Sequence, residues 1–287
     1  MNSLSSSANS HLSAYYLLVQ KALRSLTELQ VIKLLVYDTH FITLFSQCTF
    51  PSLRHFESYL KLSNPLIKFL NRHPTISYLQ VSQYEDTSVL SDDIQTLSLP
   101  KLQYFAGNGL SVPAIGDASI LRAAIVSWDA VDAAPDVAIK ALERSSFDSL
   151  TLLSCTRRGW NLDLIQSISD HLPDISSLHI SNVLLVDSHP TEVSHGFLGR
   201  ESFAELTKFQ FRQSYLQAIS IVLHNFTRLR ILRIHCIDYW QMGELECQLD
   251  KDFATVTEWG ESCPSLVEIT LPREWHRHSL LLEILYR

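Results

Sequence analysis

One phrase recurs along this chain of 287 residues: an apolar residue, two variable positions, a second apolar residue, one variable position and a third, usually apolar, residue. Its copies are Leu29/Ile32/Leu34, Leu53/Phe56/Ser58, Ile76/Leu79/Val81, Leu102/Phe105/Gly107, Phe147/Leu150/Leu152, Ile175/Leu178/Ile180, Leu206/Phe209/Phe211, Leu229/Leu232/Ile234 and Leu266/Ile269/Leu271. Leu53 and Ile76 start 23 residues apart, Leu102 and Phe147 start 45 apart, and the long gap divides if Ile120 to Val126 is a degenerate tenth copy. A period in this range marks an array in which each unit buries its apolar face only by stacking on its neighbours.

Within each phrase the second and third apolar residues flank a variable one, as in Leu178-His179-Ile180, which is the period-two pattern of a half-buried strand. Between phrases the spacing becomes helical. Leu162, Ile165, Ile168 and Leu172 share a face, as do Val137, Ala141 and Leu142, or Tyr215, Ile219, Leu223 and Phe226. Asn64-Pro65 reads as an N-cap followed by a first-turn proline, and Asn161 as an N-cap with Trp160 and Ile165 placed for a hydrophobic staple. Pro74 and Pro173 end those two helices. Strands joined through helices at such short intervals run parallel, with right-handed crossovers. The expected fold is therefore α/β, an irregular solenoid in which a curved parallel sheet carries helices on its outside.

The copy Ile175-Ser-Ser-Leu178-His-Ile180-Ser-Asn182 resembles the strand segment of leucine-rich repeats, with its asparagine one place early. His73 to Leu79, Leu99 to Phe105, Ser127 to Ala130, His171 to Leu178 and Cys263 to Pro272 resemble, in their order, the leucine-rich-repeat half of fungal F-box proteins over roughly Leu26 to Trp275. No Leu-Pro-opening F-box segment precedes the first phrase, so the resemblance is to the half that presents a ligand. It implies a non-catalytic protein-interaction module that recognises a substrate within an SCF-type ubiquitin ligase complex. A structural scaffold without that connection and a small hydrolase are the alternatives.

Domain organisation follows from the same pattern: a disordered tail over 1–12, then one repeat domain over 13–287. Ser13 to Leu26 would form a helical cap, and Leu280, Leu281, Leu282, Ile284 and Leu285 a short apolar one. The 46% apolar and 18% charged fractions are those of a folded protein. A net charge of −7 disfavours a nucleic-acid partner held by a general positive field and suits a protein partner. Five dispersed cysteines without a C-x-x-C pair indicate neither a disulfide framework nor a zinc ribbon, and no apolar run has the length of a membrane span. A cytoplasmic or nuclear location without membrane attachment is the expectation.

Catalytic and cofactor motifs are missing from the sequence: it has no G-x-S-x-G, P-loop or H-E-x-x-H, and Gly107-Asn108-Gly109 lacks the third glycine of a dinucleotide loop. His276, His278 and the His235/Cys236/Cys247/Cys263 group give only loose pairs of metal ligands, so neither a metal nor a cofactor is expected. Cys155, Ser154 and Cys263 are the possible nucleophiles of the hydrolase reading, with Cys155 better suited to filling a strand end. Recognition is expected instead in three inserts, Tyr84 to Asp93, Val186 to Ser202 and Ile237 to Asp252, and in aromatic residues after the strands. The candidate partner-binding residues are Trp128, Trp160, Tyr239, Trp240, Tyr84, Glu85 and Asp86.

Overall fold

The computed structural model describes residues 4–82, 95–116, 118, 120–128, 135–146, 149–184, 208–238 and 249–271. They belong to two compact units, one formed by Met1–Asp129 with Ala133–Thr151 and the other by Ala130–Asp132 with Leu152–Arg287. Both are α/β, with a parallel sheet.

The first unit contains α1 (Leu4–Ser25), β1 (Val31–Leu34), α2 (His40–Phe45), β2 (His55–Ser58), α3 (Asn64–Asn71), β3 (Tyr78–Val81), β4 (Tyr104–Asn108), β5 (Ala123–Trp128) and α4 (Pro135–Ser146). Its five strands pair in chain order, all parallel, and the register aligns Ile32, Phe56, Leu79, Phe105 and Ala124, the second apolar member of each phrase. Periodic spacing in sequence has become a column in space. The tenth copy expected within Ile120 to Val126 is present, but it is led by Leu121: Leu121, just before β5, and Ala124 and Val126 within it are fully buried, whereas Ile120 is exposed.

Helices cover the face on which those residues lie. Phe56 of β2 meets Phe45 of α2 and Phe69 of α3, with ring centroids 6.1 and 5.8 Å apart, and all three side chains are excluded from solvent. Phe50 and His73 close this cluster. The His73 imidazole donates from Nδ1 to the Phe69 carbonyl at 2.7 Å and accepts at Nε2 from the Phe50 amide at 3.0 Å, so the neutral ring is fully used. Burial lowers its pKa, consistent with that role.

The second unit contains β6 (Leu152–Arg158), α5 (Leu162–His171), β7 (Ser177–Leu184), α6 (Lys208–Leu223), β8 (Ile231–Asp238), α7 (Leu249–Ser262) and β9 (Glu268–Thr270). These four strands also pair in chain order and in parallel, aligning Leu153, Leu178, Leu232 and Ile269. Trp259 of α7 locks two helices together, donating from its indole to the Leu216 carbonyl at 3.2 Å and the Ser220 hydroxyl at 3.0 Å of α6. Trp259→Phe keeps most of the buried ring and removes both bonds, leaving the acceptors dry. It is expected to lower stability by about 1–3 kcal/mol in urea unfolding, with an unchanged m-value.

A hydroxyl stitch joins successive repeats. Thr75, Ser149 and Ser265 each stand immediately before a first apolar residue (Ile76, Leu150, Leu266) and donate to the carbonyl of the preceding repeat's first apolar residue. The bonds are Thr75 to Leu53 at 2.7 Å, Ser149 to Leu121 at 2.8 Å and Ser265 to Leu229 at 2.8 Å.

Several expectations need correction. The phrase Phe147/Leu150/Leu152 is displaced by three residues: Leu150, Leu153 and Cys155 are buried, whereas Leu152 lies on the other face. Phe209 and Phe211 lie in α6, not in a strand, because no glycine or proline interrupts the helical spacing up to Leu223. Between β4 and β5 the chain forms a 3₁₀ turn, Gly109–Ala114, with Pro113 inside it, in place of an α-helix. Val137 is exposed, and α4 buries Ala138, Ile139, Ala141 and Leu142 instead. Ser63, not Asn64, is the N-cap of α3, and Asn64 accepts from the Gln95 amide at 2.7 Å. Helix α1 begins at Leu4, ahead of Ser13, since nothing in the Ser-rich stretch stops it; its Tyr16 stacks on His40 of α2.

Candidate functional site

Among the described residues, alternation leaves one face of each sheet without helices, and in the first unit an aromatic ladder occupies it. The third position of the phrase places Val31, His55, Tyr78, Tyr104 and Ala123 in one row, and the fifth places Lys33, Glu57, Gln80, Ala106 and Ile125 in the next. His55 stacks on Tyr78 with centroids 4.0 Å apart and planes within 6°, and Tyr78 stacks on Tyr104 at 4.3 Å and 5°. All three rings are half-buried, so part of each remains open to solvent, although the His55 Nε2 atom is itself buried. Parallel strands about 4.8 Å apart set this spacing, which suits stacked rings.

Polar contacts fix the ladder from its flank. Glu57 pairs with Lys33 at 3.0 Å and lies 3.5 Å from His55, while the Tyr78 hydroxyl donates to Gln80 Oε1 at 2.9 Å. Burial raises the pKa of both tyrosines, further for Tyr104, where the neighbouring Tyr78 adds to the effect. The phenols stay neutral at physiological pH and remain hydrogen-bond donors. Burial lowers the pKa of His55 although Glu57 opposes it, so the stack is a neutral, amphipathic surface. Rigid aromatic side chains with polar tips are the side chains most used to anchor protein partners.

In the second unit the corresponding face is polar. Ser154, His179 and Arg233 form one row, and Thr156, Ser181 and His235 the next. Arg233 holds Glu268 through Nε and Nη2, each 2.7 Å from Oε1. Burial, reinforced by Arg233 and His235, brings the pKa of His179 down to about 4, and its Nε2 lies 3.2 Å from the Ser177 hydroxyl.

Two sequence candidates lie within the described residues. Trp128 is only 4% exposed and packs over the 3₁₀ turn, where a Cβ at Gly109 would collide with its indole; glycine makes the room. Trp160 is half-buried, its ring 4.8 Å from that of Tyr215 in α6. It follows Gly159, whose φ of +79° turns the chain between β6 and α5. Asn161, expected to cap α5 with its side chain, instead donates from Nδ2 to Asn182 at 2.7 Å, and Asn182 in turn donates to the Tyr215 hydroxyl at 3.3 Å. Tyr84, Glu85, Asp86, Tyr239 and Trp240 lie outside the described residues, as do most of the three inserts, Cys247 and the apolar C-terminal stretch.

Cys48, Cys155, Cys236 and Cys263 are buried free thiols, and burial pushes the Cys155 thiol far up, away from the thiolate a nucleophile needs. Among the described residues no group of His, Cys, Asp and Glu could hold a metal ion, and no helix is long and apolar enough to cross a membrane.

Compared with protein-family models and with curated proteins, the chain matches none. The ladder was missed in the sequence because its residues are the variable positions of the phrase. Aligning the copies on their second apolar residue would have put His55, Tyr78 and Tyr104 in one column.

Proposed function

We propose that this chain is a non-catalytic protein-interaction module of the leucine-rich-repeat solenoid type, using the helix-free strand face to hold a protein ligand. In keeping with the resemblance of its repeats, it acts as the substrate-recognition half of an F-box-type ubiquitin-ligase adaptor in the cytoplasm or nucleus. The observation that carries the reading is the His55–Tyr78–Tyr104 stack, three half-buried aromatic rings held rigid by neighbouring rungs on a face that no helix among the described residues covers. Columns of strand residues at a fixed spacing read an extended or convex partner by shape and hot-spot contacts, with no bond made or broken.

Affinity capture from cells with the wild-type chain and with Tyr78→Ala combined with Tyr104→Ala tests this. Proteins retained by the wild type are expected to be lost from the variant while circular dichroism and the melting temperature report a folded chain. The linker protein and cullin of an SCF ligase among the retained set support the adaptor role, and a specific set without them supports a scaffold. Identical capture by both chains would overturn the ladder as the recognition surface.

A further inference from the structure

The open face of the second unit carries a charge of its own. Of its strand positions, Arg158 at the end of β6 is exposed and pairs with no carboxylate among the described residues, the Arg233 side chain is 35% exposed, His235 is half-buried, and Glu268 is the one carboxylate among the described residues of this face. Ser154, Thr156 and Ser181 stand between them in adjacent rungs, all part-exposed hydroxyls. Arg157, one position along the same strand, is spent differently: its side chain turns from this row to Asp163 of α5 at 2.7 Å.

A chain of net charge −7 thus sets a cationic, hydroxyl-rich row against its overall sign. Uncommitted arginine donors beside hydroxyls match carboxylates geometrically, and guanidinium supplies planar pairs of donors even when one edge is engaged, as Arg233 is by Glu268.

We propose that the face of β6 to β8 binds an acidic segment of a protein partner, its carboxylates seated at Arg158 and Arg233 and its backbone or side-chain acceptors on Ser154, Thr156 and Ser181. This assignment rests on reading the helix-free face as the recognition surface and names the chemistry of what it takes. Charge complementarity favours an acidic peptide over a basic or apolar one at this face, because Arg158 and Arg233 place two positive charges there against the single described carboxylate of Glu268.

Fluorescence anisotropy of the full chain with a labelled peptide of about ten glutamates, beside glycine-serine and lysine peptides of equal length, tests the assignment. The glutamate peptide alone is expected to bind, and more weakly as salt rises and the Debye length shrinks below about 10 Å. Arg158→Glu, at an exposed position, is expected to weaken binding about tenfold; Arg233→Gln, checked for folding by its melt, weakens it similarly. Ile221→Ala, on the exposed surface of α6, leaves it unchanged. The proposal is overturned by absence of glutamate-peptide binding, by equal affinity of Arg158→Glu and wild type, or by displacement of the peptide by inorganic phosphate at matched charge, which would mark a small-ion site only. Because cellular capture reads the tyrosine ladder and anisotropy reads the arginines, failure of the glutamate peptide with ladder-dependent capture intact overturns the acidic ligand and leaves the module.

Discussion

Phe69→Ala is expected to remove about 3–5 kcal/mol of stability, enough to unfold a substantial fraction of a marginally stable chain. The residue is fully buried in α3 and touches every member of the first unit's aromatic cluster: Phe45 at 5.0 Å between centroids, Phe56 at 5.8 Å, Phe50 at 6.3 Å and His73 at 4.4 Å. These neighbours come from α2, β2, the turn between them and the turn after α3, so none can collapse into the space without moving its own element. The Phe69 carbonyl also anchors the His73 imidazole, and a shift there would loosen the bond to the Phe50 amide. Urea titration followed by circular dichroism measures the change. A loss below about 1 kcal/mol would mean that the cluster is not packed as described.

Mild acid is the second large effect. Burial depresses His55, His73, His179 and His235, and His179 furthest, to about 4. An imidazole in the unfolded chain titrates near 6.5. Above that pH the rings are neutral in both states and their contribution is fully present. As pH falls below about 6.5 the unfolded chain takes up protons that the folded chain refuses, so stability falls until pH reaches the folded value. For His179, only 9% exposed, the loss is about 2 kcal/mol at pH 5 and about 3 kcal/mol at pH 4. Denaturation midpoints at pH 7.5, 6 and 5 test the slope. His179→Gln is expected to flatten it while the other three histidines keep part of it; a midpoint independent of pH across this range would contradict the buried neutral rings.

Acid sensitivity and the proposed recognition face share a cause. His55, His179 and His235 project from the helix-free side, yet neighbouring rungs cover them enough to exclude much of the water. Parallel strands bring side chains of successive repeats within stacking distance, and the same crowding that aligns His55, Tyr78 and Tyr104 desolvates them.

The strands were legible because burial demands period two on one face, and Leu79, Phe105, Leu178 and Leu232 satisfy it without ambiguity. Near Leu150 the leucines at 150, 152 and 153 fit two frames, and periodicity alone cannot choose. The choice follows from partners distant in sequence, since Ser149 reaches the Leu121 carbonyl only if Leu150 leads the phrase. Phe209 and Phe211 failed for a related reason: apolar residues two and three apart suit a strand, but an unbroken run to Leu223 suits a helix better. Trp128 reads as an exposed anchor only until Gly109 is known to lie against it. The proposed recognition face was illegible because it consists of the positions the phrase leaves free, and columns such as His55–Tyr78–Tyr104 exist only once strands are in register.

Hydroxyl-radical footprinting of the chain with and without its captured partner locates the surface the partner covers. Exposed apolar residues of the helices, Val137, Ile221 and Phe253, provide the contrast. Protection is expected at His55, Tyr78 and Tyr104, with unchanged labelling of those three helix residues. Protection confined to Val137, Ile221 and Phe253, with the strand face labelled as before, would contradict the proposed recognition face.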